Sequence, residues 1–481
     1  MSEARLIETT RRPRARAFSP IRIGAVSAWV VATIVLGLTL GTYHTGIGAN
    51  VAILALLALG MVLVTGYAGQ FSLATGAFYG IGAYGSALLT AQLGIPALLA
   101  LLGAALVAGA VAWLLGSPIF RLRGHFLAMA TLALTEIFYL VVNNATITGG
   151  SSGMGVQPLT FGGVALMDTS QHFILNWLVV GVAVWAAHNL GRSREGRALK
   201  AIRGHETAAA SAGIDIRSSK TRIFVASAIL GSLAGSLYAH QIMYVNPPPF
   251  GVHTVISVLA LVVLGGLRSP WGAVIGALLI EALSQGIERV VTTLWGSGAA
   301  GAGESLFFGL MLCLILIFRP EGAVGLITYL WGQFRPVPKP DPVADMTHDG
   351  VDMATLRRQG DTEHGTPQVG AEVLSAQGLT KRFGGVVAVN DITLDLHAGE
   401  VLAVIGPNGA GKSTLVNLLS GNLKPTSGSI QMNGEDVTTA PAHVMARQGL
   451  ARTFQTPCLF EDMSVIDTVK VGAHLQGKVG A

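Results

Sequence analysis

The strongest constraint in this chain is a lack of charge over long distances. Residues 23–120 contain no Asp, Glu, Lys or Arg, and 124–191 contain only Glu136 and Asp168. Charge is costly inside a bilayer, and a helix needs ~20 consecutive apolar residues to cross one. The pattern predicts an α-helical polytopic membrane domain. Its ten expected spans are 23–42, 50–66, 71–92, 96–116, 125–143, 173–190, 222–243, 252–267, 271–290 and 302–319. The glycine-rich stretch GYAGQFSLATGAFYGIGAYG makes 66–92 the exception, where a broken or re-entrant segment competes with a continuous span.

Where charges do occur, they report orientation. Arg5, Arg11, Arg12, Arg14, Arg16 and Arg22 precede the first run and place the N-terminus inside. Counting spans from there, Arg121, Arg123, the basic block 192–222, Arg268, Arg319 and Arg335 also fall inside. The loops expected outside, 43–49, 93–95, 144–172 and 244–251, carry no Lys or Arg, and only Arg289 runs against the rule. Both termini are therefore expected in the cytoplasm. The net charge of +5 follows topology, so lipid rather than nucleic acid is the expected partner. Charged residues at 12% are about half the roughly 25% of a soluble protein, which excludes an ordinary globular enzyme. Two cysteines, Cys313 and Cys458, exclude a disulfide scaffold, and no metal-ligand spacing occurs.

The composition changes after the last apolar run. Residues 1–22 read as a cytoplasmic tail, 23–330 as the membrane domain and 331–372 as a flexible linker containing Pro336, Pro338, Pro340, Pro342 and Pro367. Residues 373–481 read as a partial α/β domain in which VLSAQGL, VVAVNDITLDL and EVLAVIG are strand-like. The last leads into VLAVIGPNGAGKST, a strand–loop–helix pattern that fits G-x-x-x-x-G-K-[ST]. The loop is Gly406, Pro407, Asn408, Gly409, Ala410, Gly411, Lys412, Ser413 and Thr414. Glycines let backbone N–H groups surround a polyphosphate, and the helix N-terminus adds a positive dipole. ATP and Mg²⁺ are the expected cofactors, with Lys412 on the β- and γ-phosphates and Ser413 on the metal.

GPNGAGKST, preceded by LTKRFGGVVAVNDITLDLHAGE and followed by LARTFQ, resembles the nucleotide-binding domain of ABC transporters. The resemblance implies that Phe383 stacks on adenine and that Gln455 meets Mg²⁺ and the attacking water. Phe383 also reads as a core aromatic at a strand end, and Gln455 gains its meaning only from Arg452, Thr453 and Phe454 before it. The family also uses an LSGGQ-type signature, a Walker B aspartate with a catalytic glutamate, and a switch histidine. None precedes Ala481, and His474 comes only 19 residues after Gln455. The expectation is the first half of such a domain: able to contact nucleotide, without a catalytic residue, and not hydrolytic by itself.

The apolar region has its own resemblance. GYAGQFSLATGAFYGIGAY, TGGSSGMGV, GRALKAIRGHETAAASAGI, LGGLRSPWGAVIGA and FRPEGAVGL look like the permease of branched-chain amino-acid ABC importers. This implies a multi-pass protein of the bacterial inner membrane. It also implies three partners: a second permease, intact ABC ATPase subunits and an extracytoplasmic solute-binding protein. Urea and short-chain amide importers have a similar permease, so the solute stays open. A nucleotide-sensing channel or carrier, and a transport-inactive truncated product, are the competing functions.

Within 192–222, residues 196–212 predict one helix capped by Gly213. The resemblance makes this the coupling loop, carrying Ala208, Ala209 and Gly213. Thr207 stands where related importers often carry Glu, and Glu206 is one residue early. A solvated basic loop is the alternative. Glu136 is either a functional carboxylate within a span or a structural one bonded to Thr131 or Thr135. The segment Gly149–Gly153 either shapes the outer mouth or is a flexible loop.

Overall fold

The computed structural model describes residues 20–122, 124–161, 164–295, 310, 322–325, 368–455, 458–460 and 463–476. All of the expected tenth span but residue 310, together with Arg319, Arg335, Cys313 and nearly all of the linker, lies outside these residues. The chain divides into two compact units. One comprises Met1–Leu190 and Thr221–Leu326, the other Gly191–Lys220 and Ile327–Ala481.

The first unit is helical: α1 (Pro20–Thr39), α2 (Thr42–Met61), α3 (Thr75–Leu93), α4 (Ala97–Ile119), α5 (His125–Asn144) and α6 (Thr169–Arg192). In the second unit α7 (Arg194–Gly204) and α8 (Glu206–Ser211) follow. The chain then returns to the first unit through α9 (Ile216–Ile242), followed there by α10 (Val252–Gly265) and α11 (Pro270–Trp295). Six stretches among the described residues have the length and hydropathy to cross a membrane: Thr42–Tyr67, α4, α5, α6, α9 and Pro270–Ile287. The first and eighth expected spans appear as shorter apolar helices, Val26–Thr39 and Val252–Gly265.

Sequence decides which faces are buried. In α4 the residues Ala100, Ala104, Ala108, Ala112 and Gly116 recur every four positions and are all buried, while Leu106, Trp113 and Leu114 are exposed. Small residues on one stripe let helices approach closely in lipid, where apolar burial alone gives little advantage. The same device joins α3 to α9. A β-carbon at Gly82 would overlap the Ser232 carbonyl, and one at Gly235 the Tyr79 carbonyl, while Ser236 Oγ donates to the Gly82 carbonyl at 2.9 Å.

The suspect stretch 66–92 is broken. Helix α2 continues as a π-helical turn, Val62–Tyr67, and the chain then runs irregularly to Ala74 before α3 begins. Two threonines one turn apart on α5 satisfy the exposed backbone. Leu73 N–H donates to Thr131 Oγ1 at 2.9 Å, and Thr135 Oγ1 donates to the Leu73 carbonyl at 2.8 Å. Non-helical backbone within a membrane requires such partners. These hydroxyls turn to Leu73, so the reading in which they hold Glu136 is set aside.

Four two-residue strands lie in the first unit, β1 (Met154–Gly155), β2 (Thr160–Phe161), β3 (Val164–Ala165) and β4 (Tyr244–Val245). The second unit contains β5 (Glu372–Phe383) and β6 (Val386–His397), then α12 (Lys412–Leu419), β7 (Ser427–Met432) and β8 (Glu435–Asp436). Helices α13 (Ala442–Arg447) and α14 (Val465–Gly472) follow. The strands form an antiparallel sheet in the order β6-β5-β7-β8. Leu415 and Leu418 of α12 pack with Ala376, Leu379, Ile430 and Met432 of the sheet. One expectation fails here. EVLAVIG, 400–406, is not a strand, and Val401 and Ile405 are 96% and 91% exposed. Apolar, β-branched composition favours extension, but a strand exists only where a neighbour takes its N–H and C=O groups, and no described strand pairs with this one.

Candidate functional site

The phosphate-loop residues sit between β6 and α12. Gly406, Gly409 and Gly411 take φ values of 154, 88 and 84°, which turn the backbone in ways a side chain would resist. Gly411 caps α12, and a β-carbon there would overlap the Ala388 carbonyl of β6. Lys412 Nζ donates to the Gly406 and Pro407 carbonyls at 2.7 Å each, so its ammonium lies over the loop at the positive end of α12. Asn408, Gly409, Ala410 and Ser413 are exposed, Thr414 is half-buried, and a β-carbon at Gly409 would meet nothing within 4 Å. A glycine turn, a helix N-terminus and a lysine amine together fit a polyphosphate.

Phe383 is 48% exposed at the end of β5, with Lys381 Nζ 5.3 Å from its ring centroid. It is not a core aromatic. Gln455 is exposed. Its neighbours carry the local order. Arg452 Nη1 donates to Asn417 Oδ1 at 2.7 Å and Ser420 Oγ at 2.6 Å, which ties the segment to the C-terminal end of α12. The Arg452 guanidinium lies 5.2 Å from the Phe454 ring centroid, and Phe454 lies 6.1 Å from the His205 ring. Sequence reasoning missed Asn417, Ser420 and His205, because isolated polar residues give no signal until the fold brings them together.

The basic loop departs from the expected single helix over 196–212. It is two helices, α7 and α8, broken at His205, whose φ and ψ are −158 and 101°. The break has a local cause: His205 Nδ1 accepts the Ala208 N–H at 3.3 Å, acting as the N-cap of α8. Gly213 does end the second helix. It takes φ 84°, with Ile214 N–H on the Ala209 carbonyl and Gly213 N–H on the Ala210 carbonyl, a Schellman closure. Since α6 runs to Arg192 and α9 starts at Ile216, the loop outside those helices is 193–215, shorter than expected. Glu206 pairs with the buried Lys220 at 2.5 Å.

This loop is not a solvated basic loop. Ala198, Ala201, Ile202, Ala209 and Ile214 form one apolar cluster with Phe460 and Val471, and Ala208 and Met463 pack at its edge. Arg194 Nη2 donates to the His474 carbonyl at 2.6 Å, and His443 Nε2 stands 3.9 Å from Asp215 Oδ2. Burial pushes the His443 and His474 imidazoles below their ordinary value. Arg194, Arg197 and Arg447 add to the effect at His474 against Glu195, while Asp215 opposes it at His443.

In the membrane unit the segment Gly149–Gly153 is hydrogen-bonded rather than loose. Met154 and Gly155 pair with Val245 and Tyr244, and the Tyr244 hydroxyl donates to the Ser152 carbonyl. This unit also holds polar contacts that sequence reading did not single out, among residues that range from exposed Asn50 to buried Asn176 and His240. Asn176 Nδ2 donates to Gln241 Oε1 at 2.8 Å, and Gln241 Nε2 to Asn50 Oδ1 at 2.8 Å. His240, fully buried, bonds through Nδ1 to the Gln157 carbonyl at 2.7 Å. Glu136 is half-buried.

The sequence matches the permease component of the branched-chain amino acid transport system over residues 43–316, more than half of the chain. Residues 389–478 match the ABC transporter family. The high-affinity branched-chain amino acid transport system permease protein LivM of Escherichia coli is 33% identical over 56% of this chain and 66% of its own length. The high-affinity branched-chain amino acid transport ATP-binding protein LivG of the same organism is 45% identical over 22% of this chain and 42% of its own. A solved ATP-binding cassette of an ABC transporter, MJ1267, is 37% identical over 18% of this chain and 34% of its own, with a TM-score of 0.18. The chain thus spans just under two thirds of the permease relative and about two fifths of the ATP-binding one. A multi-pass helical unit with the permease motifs in order, joined in one polypeptide to a phosphate-loop segment, has a single family reading: the chain belongs to the permease components of branched-chain amino acid transport systems and carries ABC transporter sequence after them.

Proposed function

We propose that the protein is the permease-bearing subunit of an ABC importer in a bacterial inner membrane, with both termini cytoplasmic. It moves branched-chain amino acids, or a similar small polar solute such as urea, into the cell. Its second unit binds ATP through Gly406–Thr414, with Phe383 against adenine and Ser413 and Gln455 at Mg²⁺. When bound, the nucleotide supplies the free energy of its γ-phosphate; the chain's own residues hold and orient it. Lys412 exchanges the Gly406 and Pro407 carbonyls for phosphate oxygens, a stronger charge-assisted partner. A second permease, ATP-binding subunits and an extracytoplasmic solute-binding protein complete the importer.

One observation carries the reading. Asn417 and Ser420 on α12 hold Arg452, Arg452 lies against Phe454, and Phe454 faces His205, the cap of α8. A change at the phosphate loop thus has a continuous route of contacts to Ala208, Ala209 and Gly213. The test is nucleotide affinity and uptake of radiolabelled leucine, then urea, in cells carrying the partner subunits. Lys412→Ala should remove nucleotide binding by the purified full chain and abolish uptake. Unchanged nucleotide affinity in Lys412→Ala would reject the assignment.

A further inference from the structure

In this chain the face of α7 and α8 is already covered. Ala209 is fully buried and Ile202 nearly so, against Phe460 and Val471 from the ATP-binding segment of the same polypeptide. The fit is close at both ends of α8. Gly204 faces Phe460, with 3.8 Å between its ideal β-carbon position and the Phe460 Cβ, and a β-carbon at Gly213 would overlap the Leu475 side chain. Polar groups are paired across the same contact, Arg194 with the His474 carbonyl and Asp215 with His443.

We propose that this chain's coupling surface is occupied in cis by its own residues 440–476, so that a separate ATP-binding subunit is excluded from it. The proposal rests on reading α7 and α8 as the coupling element. Its physical basis is twofold. A surface whose central alanine has no exposed area has no room for a second protein. A segment carried on the same polypeptide as its target also competes at an effective concentration on the order of millimolar. A free subunit at micromolar concentration is then displaced by roughly a thousandfold. A separate ATP-binding subunit in the assembly therefore serves the second permease, and this chain's loop answers to the segment it carries.

The test uses the full chain in membranes, with Cys313→Ser and Cys458→Ser and the added pair Gly204→Cys and Phe460→Cys. The 3.8 Å spacing at these positions equals the mean Cβ separation of a disulfide. Two differently tagged copies are co-expressed and oxidised. The expected product is a disulfide within one chain. A disulfide joining the two tags, or none, overturns occupancy in cis. Exclusion is then read by capture of purified Escherichia coli LivG on the full chain, with and without Phe460→Asp, which releases the covering segment and leaves α7 and α8 unaltered. Capture should rise at least tenfold in the variant. Equal capture by both chains overturns exclusion. Adding Ala209→Arg to the Phe460→Asp chain separates the two readings: if LivG capture persists, the coupling assignment fails, while the disulfide still reports whether the surface is occupied.

Discussion

Replacing Ala209 with Arg tests, at its centre, the contact of α7 and α8 with residues 440–476. The Ala209 methyl is fully covered by Ile202, Phe460 and Val471, and three cations, Arg194, Arg197 and Arg447, act electrostatically on His474 at the same contact. An arginine there either buries an unpaired charge or pushes the two surfaces apart. Burying an unpaired charge costs about 3 kcal/mol or more, roughly a hundredfold in the closed population. Thr207 supplies the control, because it is exposed on the same short helix. Arginine there should change stability by less than about 0.5 kcal/mol. Limited proteolysis of the full chain in membranes measures the effect through cleavage within 440–476, compared at equal expression. Ala209→Arg should raise cleavage by about two orders of magnitude and abolish uptake, and Thr207→Arg should do neither. Equal protection in the two variants would refute burial of this face, and normal uptake by Ala209→Arg would refute its role in coupling.

Other perturbations have defined outcomes. Thr131→Val with Thr135→Val leaves both backbone groups of Leu73 unpaired and should cost about 1–2 kcal/mol, less than additively since both act on one residue; reversible unfolding in detergent measures it, and an unchanged midpoint rejects the bracing role. Because burial holds His443 and His474 below 6.5, the undocked chain takes up protons first as pH falls. The contact should therefore be complete above about pH 6.5 and loosen below it; protease protection that is flat from about pH 8 to about 5.5 would contradict this. An impermeant maleimide should label Ser152→Cys but not Ser211→Cys from outside in a cysteine-free background, and the reverse pattern would invert the topology.

Features that depend on local chemistry are legible in the order of residues alone. Charge-free runs demand a membrane because no side-chain arrangement makes a long apolar helix soluble at low cost. The alanine stripe of α4 declares its buried face through the helical repeat alone. Gly406, Gly409, Gly411 and Lys412 declare a phosphate loop because backbone geometry and one amine suffice. Gly213 declares a helix end for the same reason. The remaining features emerge only on folding, since each needs a partner far away in the chain. EVLAVIG has the composition of a strand and no paired neighbour among the described residues. Thr131 and Thr135 are ordinary polar residues until Leu73 comes between them. The helix expected over 196–212 is divided because His205 can cap α8 while its ring faces Phe454, some 250 residues on. Whether a basic loop is solvated or covered depends on Phe460 and Val471, which adjoin it in space alone. Propensity and pattern act over one or two turns; pairing and burial act over distances that only the folded chain sets.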